Sequence, residues 1–194
     1  MTVRQSLMKL IYPLVMLFSK KNRKHKNTAK VIPHVSFYAL RTPDNKGDYF
    51  SFQQLRGKKV LLVNTASDCG FTGQYEELQK LSDIYKNKLV IIAFPANDFK
   101  DQEKGSDDDI AAFCKINYGI NFPLMKKSSV IKGDDQNPVF AWLTNEKKNG
   151  WNNQQPTWNF SKYLVNENGL LTDYFSPTVS PLAKEVKLAL KQAD

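Results

Sequence analysis

Two apolar segments and the amphipathic segment between them constrain the fold of this chain most. Lys59–Thr65 and Lys88–Phe94 are apolar and rich in β-branched residues on both faces, a pattern typical of central strands buried on both sides. Between them, apolar residues recur at helical spacing over residues 72–85, beginning with Tyr75 and Leu78. A strand, a helix and a strand in this order predict two parallel strands joined by a right-handed crossover.

The flanking sequence predicts the remaining elements of one domain. They are short strands at Val35–Leu40 and Tyr49–Phe52, a helix capped by Ser106, a short helix at Val139–Lys147, a hairpin of Trp158–Val165 and Leu170–Phe175, and a final helix opened by Pro181. A βαβ unit followed by a hairpin and a terminal helix is a thioredoxin-like layout. We therefore expect an α/β, thioredoxin-like fold with a central mixed β-sheet flanked by helices, covering residues 35–194. Residues 1–34 are expected to form a basic N-terminal tail.

The positive charge of the chain is concentrated in that tail. The net charge is +9, and residues 1–30 hold eight Lys and Arg side chains and no acidic residue. About one positive charge therefore remains for all the residues that follow. A basic face that could track a phosphate backbone is not expected on the domain, so we predict no nucleic-acid partner.

An apolar stretch at residues 10–18 lies within the tail and allows three interpretations. It is too short to span a bilayer, which needs roughly 20 residues in a helix. With its polybasic flank it could be a membrane-surface anchor; it could be a flexible tail with a few residues packed on the domain; or it could be a poor or retained export signal. The expected location is the cytoplasm, with membrane association or periplasmic export as alternatives.

The chain has two cysteines, Cys69 and Cys114, and they carry any redox chemistry. Two cysteines are too few for a disulfide-rich scaffold. The two histidines, His25 and His34, lie far from both cysteines in sequence, which argues against a four-ligand zinc site. No metal and no cofactor is expected.

Cys69 is placed between a predicted buried strand and the start of a predicted helix. A thiolate is the reactive form of cysteine, and unpaired N–H groups at a helix N-terminus stabilise it. The surrounding loop is small and polar, so we expect solvent to reach the sulfur. The segment Cys69-Gly70-Phe71-Thr72 lacks a second cysteine, which excludes a local dithiol pair. The alternative is a buried structural cysteine.

Three sequence blocks resemble the glutathione peroxidase family. They are Asn64-Thr65-Ala66-Ser67-Asp68-Cys69-Gly70-Phe71-Thr72, then Phe94-Pro95-Ala96-Asn97-Asp98-Phe99 with Asp101-Gln102-Glu103, and Trp158-Asn159-Phe160-Ser161-Lys162-Tyr163-Leu164-Val165. Their order and spacing follow the family from about residue 35 to residue 193. The first block is similar to the cysteine form, not the selenocysteine form, of the family's nucleophile signature.

The resemblance implies a catalytic tetrad of Cys69, Gln102, Trp158 and Asn159. Two side-chain amides and an indole N–H can donate hydrogen bonds to one sulfur and stabilise a thiolate without a basic residue. The implied first step is attack of the Cys69 thiolate on a peroxide, which gives a sulfenic acid and water or an alcohol. The alternatives are a core aromatic for Trp158 and surface or turn amides for Gln102 and Asn159.

The resemblance also implies that Cys114 is the resolving thiol. In many non-animal relatives a cysteine at this position forms a disulfide with the oxidised nucleophile, and thioredoxin reduces it. Because a disulfide needs Cα atoms within roughly 7 Å, we expect the helix that carries Cys114 to unwind in part. The alternative is a buried helix cysteine. The short connection before Trp158 resembles monomeric members with an open site, so we predict a monomer and thioredoxin as reductant, with glutathione as the alternative.

The expected function is therefore a thiol peroxidase for hydrogen peroxide and organic or lipid hydroperoxides. A redox sensor or relay that passes oxidation from Cys69 to a partner protein uses the same residues and stays an alternative. A third possibility is a binding protein that docks on a membrane or a polyanion through residues 1–30.

Overall fold

The computed structural model describes residues 2–18 and 24–191 of the 194-residue chain. The strands are β1 (Lys24–Lys26), β2 (Arg41–Pro43), β3 (Tyr49–Ser51), β4 (Lys59–Thr65), β5 (Leu89–Pro95), β6 (Lys162–Val165) and β7 (Leu171–Phe175). The helices are α1 (Val3–Phe18), α2 (Gln74–Ile84), α3 (Asp107–Tyr118), α4 (Pro138–Leu143), α5 (Glu146–Asn149) and α6 (Lys184–Lys191).

Five strands form the central sheet in the order β1-β7-β6-β4-β5. The strands β4 and β5 are parallel, as the βαβ pattern predicts, and the other neighbours are antiparallel. The strands β2 and β3 form a separate two-stranded sheet. The expected mixed α/β sheet is therefore present, and the carboxyl end of β4 leads directly into the loop that carries Cys69.

The central strands bury side chains on both faces. In β4, Leu61 and Val63 join the cluster that contains α2, α3 and α6, whereas Val60 and Leu62 join the cluster that contains α4. Side chains alternate between the faces of a strand, so an unbroken apolar run requires cover on both sides. Both cysteines lie in the first cluster, on the α2 and α3 side of the sheet.

Helix α3 begins as its sequence predicts. The Ser106 hydroxyl accepts a hydrogen bond from the Asp109 backbone N–H at 3.2 Å, and Asp109 accepts one in return from the Ser106 backbone N–H. This reciprocal arrangement satisfies two free donors of the first turn. The helix ends at Gly119, whose φ of 63° lies in the left-handed region that glycine adopts without steric cost.

The segment Val35–Leu40 differs from the predicted strand. It contains a 3₁₀ helix at Phe37–Ala39, and the strand β2 starts only at Arg41. Phe37 and Tyr38 are neighbours in sequence and both are buried, which a strand with one covered face does not allow. Both rings pack in the same core cluster, and this tertiary packing overrides the alternating pattern that predicted a strand.

The N-terminal segment contains two regular elements within the described residues. Tyr12 of α1 is buried, and β1 pairs antiparallel with β7 at the edge of the central sheet. Tyr12 of the apolar stretch is therefore packed on the domain. The boundary between residues 34 and 35 stays a prediction. Among the described helices, none combines the length and hydropathy that crossing a membrane requires.

Candidate active site

The Cys69 loop is a tight turn between β4 and α2. The Cys69 backbone N–H donates to the Thr72 hydroxyl at 3.0 Å, and that hydroxyl lies 2.7 Å from the Cys69 carbonyl and 3.0 Å from the Ala66 carbonyl. The Phe71 backbone N–H points back at the Cys69 sulfur, 3.4 Å away. Thr72 therefore closes the turn, and the turn directs a backbone donor at the thiol.

Asn64 in β4 holds the loop that carries Trp158 and Asn159. Its Nδ2 donates to the Trp158 carbonyl at 3.1 Å, and its Oδ1 accepts from the Ser161 N–H at 3.0 Å. Its own carbonyl accepts from the N–H of Phe160, a residue with a φ of 67°. A buried polar residue in an apolar strand is the sequence signal for this role, which we did not assign to Asn64 from the sequence.

The Gln102 loop is fixed by two connections of its own. The Asp68 N–H donates to the Gln102 carbonyl at 3.0 Å and ties the loop to the neighbour of Cys69. The Asn97 side chain spans the turn, since its Nδ2 donates to Asp101 at 2.9 Å and its Oδ1 accepts from the Glu103 N–H at 2.8 Å. Asp101 has a φ of 51°, a left-handed conformation that Asp tolerates better than most residues.

The structure brings Cys69, Gln102, Trp158 and Asn159 together. The Asn159 amide is fully buried, and its Nδ2 donates to Gln102 Oε1 at 3.1 Å. Side-chain donors from Trp158 and Asn159 also act on the Cys69 sulfur. Gln102 thus accepts from Asn159, and it belongs to the cluster through that bond. The Trp158 ring is half-buried and packs beside Phe99, with ring centroids 5.5 Å apart.

Burial dominates the acidity of Cys69. Its pKa is raised because burial disfavours the thiolate, although the Phe71 N–H and the Trp158 and Asn159 side chains lower it in part, and the charge of Asp68 raises it further. The expectation that solvent reaches the sulfur is wrong, because Cys69 is fully buried in the first core cluster. Cys69 shares this cluster with Tyr75 and Phe160, and Trp158 packs against it, so side chains distant in sequence cover the small loop.

Cys114 is a reduced, fully buried cysteine on the inner face of α3. Burial raises its pKa to about 12, with the Tyr75 hydroxyl lowering it and the charge of Glu103 raising it. Both thiols belong to one core cluster, and both are free in this state. The geometry fits the predicted inner helix face of Cys114.

Glu103 and Tyr75 lie next to Cys114, and neither was assigned a role at the site from the sequence. Glu103 is 1% exposed, and burial raises its pKa to about 7, against the lowering effect of Ser67. Tyr75 is fully buried and its pKa is raised by burial, then by the charges of Cys114 and Glu103. An acidic residue next to the expected Gln102 is the only sequence signal for this buried group.

A cleft of about 380 Å³ opens beside the Cys69 loop. Its lining includes Asp68, Gln102 and Glu103, and also Thr2 and Gln5 of the N-terminal segment; Gln102 is the tetrad position among them. A separate cleft of about 420 Å³ beside Lys59 and Asn166 contains neither thiol and none of the tetrad positions. Within residues 2–18 and 24–191, no three His, Cys, Asp or Glu side chains form a group that could hold a metal ion.

Sequence comparison gives a consistent family for this chain. Residues 37–144 match the family model described as glutathione peroxidase. A glutathione peroxidase-like peroxiredoxin of Saccharomyces cerevisiae is 44% identical over 161 residues, covering 81% of this chain and 98% of the relative. A glutathione peroxidase homologue of Staphylococcus epidermidis is 46% identical over 147 residues, covering 75% of this chain and 92% of the relative.

Solved structures show the same fold. The crystal structure of Trgpx in apo form has a TM-score of 0.62 with 32% identity, covering 82% of this chain and 97% of that chain. A thioredoxin family protein from Chlorobium tepidum has a TM-score of 0.54 with 18% identity, covering 82% of this chain and 97% of that one, and this likeness bears on the fold alone. The predicted thioredoxin-like fold is therefore confirmed.

Proposed function

Because this chain belongs to the glutathione peroxidase family and is a peroxidase of that family, we propose that Cys69 is the group that attacks the peroxide. The observation that carries this assignment is the convergence of three donors, the Phe71 N–H and the Trp158 and Asn159 side chains, on one buried sulfur. The substrates are hydrogen peroxide and organic or lipid hydroperoxides.

In the first step the Cys69 sulfur forms a bond to one peroxide oxygen while the O–O bond breaks. The proton lost by the thiol goes to the departing oxygen, which leaves as water or an alcohol, and Cys69 becomes a sulfenic acid. The donors of Trp158 and Asn159 stabilise the thiolate and the charge that develops on the departing oxygen. Gln102 orients the Asn159 amide through their shared hydrogen bond.

In the second step the Cys114 sulfur attacks the Cys69 sulfur. An S–S bond forms, the S–O bond breaks, and the hydroxyl leaves as water with the proton of the Cys114 thiol. Cys114 is buried within a continuous helix, so α3 unwinds in part to deliver it. A disulfide between these residues is then the substrate of an external dithiol.

The external reductant is thioredoxin, with glutathione as the alternative. The yeast relative is named a peroxiredoxin, which favours a cycle based on two protein thiols in this chain as well.

The chain acts as a monomer and contacts a membrane surface through residues 1–30, where its basic residues are concentrated. Residues 35–194 form the peroxidase domain.

The test is NADPH oxidation that depends on hydrogen peroxide. The chain, Cys69→Ser and Cys114→Ser are each supplied with thioredoxin and its reductase, and in parallel with glutathione and its reductase. We expect turnover with thioredoxin that either substitution abolishes. Turnover with glutathione that survives Cys114→Ser would overturn the resolving role. Stoichiometric oxidation of Cys69 without turnover would favour the redox relay.

A further inference from the structure

Helix α1 presents a continuous apolar stripe to solvent. Val3, Leu7, Leu10 and Leu14 are 88%, 53%, 77% and 56% exposed. At about 100° per residue these four positions fall within an arc of about 60°. A stripe of large apolar side chains on one exposed face marks an interaction surface, whereas isolated exposed leucines do not.

The opposite face of α1 is seated on the peroxidase domain. Tyr12 lies about 180° around the helix from the stripe and is only 7% exposed. Its ring fills the space where Gly73 lacks a side chain, since a Cβ built on Gly73 would lie 2.6 Å from the ring. Gly73 is the N-cap of α2, four residues after Cys69. The charge of the nearby Glu77 adds to burial in raising the pKa of Tyr12.

The same seating brings the start of α1 to the cleft beside the Cys69 loop. Gln5 shares the inner face with Tyr12, and Thr2 and Gln5 line the cleft together with Asp68 and Gln102. The Thr2 hydroxyl accepts from the Gln5 N–H at 3.2 Å, which fixes the first turn of the helix there. One face of α1 thus forms part of the cleft wall while the other faces outwards.

The charge of the segment that carries the stripe selects the partner. Residues 1–30 contain eight Lys and Arg and no acidic residue; Lys26 and Lys30 are exposed, and Lys24 pairs with Asp173 at 3.1 Å. A segment that combines an apolar helix face with many basic residues fits the surface of a bilayer that contains anionic lipid. The 16 residues of α1 extend about 24 Å, shorter than the hydrocarbon core of about 30 Å, so the helix fits along the interface and not across it.

We infer that α1 docks the protein on an anionic phospholipid bilayer through Val3, Leu7, Leu10 and Leu14, and that its seat on Gly73 holds the cleft beside the Cys69 loop next to that bilayer. This inference deepens the membrane contact proposed above by naming the surface, the lipid charge and the position of the site. It does not require that Cys69 turns over peroxide, because docking depends only on the face of the helix.

The first experiment is vesicle flotation of the full chain. We expect the chain to float with vesicles of phosphatidylcholine containing phosphatidylglycerol and to stay behind with pure phosphatidylcholine. The double substitution Leu7→Glu with Leu10→Glu should weaken partitioning at least tenfold. The matched control is Ile84→Glu with Leu188→Glu, two exposed apolar residues of α2 and α6, and it should float like the unchanged chain. Binding is measured without peroxide, so a failure here is separate from a failure of the peroxidase assignment.

Position is tested by a label at the cleft. A fluorophore on Lys104→Cys, in a chain with Cys69→Ser and Cys114→Ser, should be quenched by brominated lipid more strongly than one on Ile84→Cys. Equal quenching of the two labels would overturn the proposal that the cleft lies next to the bilayer. Flotation that survives Leu7→Glu with Leu10→Glu would overturn the docking role of the stripe. Dimerisation through the stripe without vesicles, abolished by the same substitutions, would also overturn it, by making a second copy the occupant.

Discussion

Asn159 Nδ2 donates to Gln102 Oε1 across 3.1 Å, and this bond joins loops that are 57 residues apart in sequence. Asn159 also acts as a donor on the Cys69 sulfur, so one amide connects the thiol to the Gln102 loop. The bond to Gln102 requires the nitrogen end of the amide, and the nitrogen is also the end that can donate to a thiolate. The hydrogen bond to Gln102 therefore sets the orientation of the Asn159 amide relative to the sulfur.

Replacing Asn159 with Asp should slow the oxidation of Cys69 by peroxide by about 100-fold. A carboxylate in that position cannot donate and adds a negative charge beside the sulfur, so the Cys69 pKa rises further. Stopped-flow measurement of Cys69 oxidation over a pH series checks this. Asn153→Asp makes the same chemical change at an exposed position and should leave the rate unchanged. A rate independent of the Asn159 substitution would argue against its donor role.

Oxidation should loosen α3 only when both thiols are present. A disulfide with Cys69 requires Cys114 to leave its buried position, so hydrogen exchange over residues 107–118 should rise after one equivalent of peroxide. In the Cys114→Ser chain, the same treatment should leave exchange in α3 unchanged. A disulfide formed with α3 still fully protected would contradict the unwinding step.

Asn64→Ala should destabilise the protein by about 2–4 kcal/mol, because it removes two side-chain hydrogen bonds in a fully buried site and leaves their partners unsatisfied. Urea denaturation measures this change. Peroxide-dependent turnover should fall as well, since Asn64 fixes the loop of Trp158. Asn64→Asp keeps the acceptor for Ser161 and should retain part of the stability only if its carboxyl is protonated. A loss of unfolding free energy below about 0.5 kcal/mol would contradict this role, because the loop of Trp158 would then keep its conformation without the Asn64 side chain.

Glu103→Gln should stabilise the protein at pH 8 and have little effect at pH 4. The Glu103 pKa is raised from 4.5 to about 7, so the native state holds a proton that the unfolded state has lost between these values. Stability therefore falls as the pH rises from about 4.5 to about 7, by up to about 3 kcal/mol. Gln resembles the neutral acid and removes that loss. Urea denaturation midpoints of the unchanged protein and of Glu103→Gln, measured across this pH range, test the prediction. If the two midpoints changed with pH in the same way, the raised pKa of Glu103 would be contradicted.

Gly73→Ala should release α1 from the domain without unfolding α2. The new Cβ would meet the Tyr12 ring at 2.6 Å, while the φ of −57° and ψ of −20° at Gly73 are helical values that alanine adopts without backbone strain. Hydrogen exchange in residues 3–18 should rise, and exchange in α2 should stay the same. Gly133→Ala is the matched control, because no atom lies within 4 Å of the added Cβ. Unchanged protection of α1 would mean that Tyr12 is not its main attachment.

The parts of the fold that local pattern determines could be predicted from the sequence. The strand Lys59–Thr65 has the predicted bounds, because its apolar run admits only a doubly covered strand, and Ser106 caps α3 through contacts within four residues. The burial of Cys69 and the 3₁₀ helix at Phe37–Ala39 could not, since both depend on side chains distant in sequence.

The candidate site divides in the same way. Its four tetrad positions follow from the three family-like blocks, and the structure brings them together. That Gln102 accepts a hydrogen bond from Asn159 could not be predicted, because an amide presents either end with equal ease. The roles of Asn64 and Glu103 depend on which buried partners each one meets, and no spacing in the sequence reports that.

The pairing of β1 with β7 has a consequence for how α1 behaves when it leaves its seat. Hydrogen bonds at the sheet edge hold Lys24–Lys26 in place, and only residues 19–23 separate them from the end of α1. A connection of that length reaches about 20 Å at most. A detached α1 therefore remains at an effective concentration of about millimolar near the cleft. Release and return of the helix are therefore intramolecular events. An attachment at Gly73 keeps α1 seated for most of the time whenever its dissociation constant lies below about a millimolar.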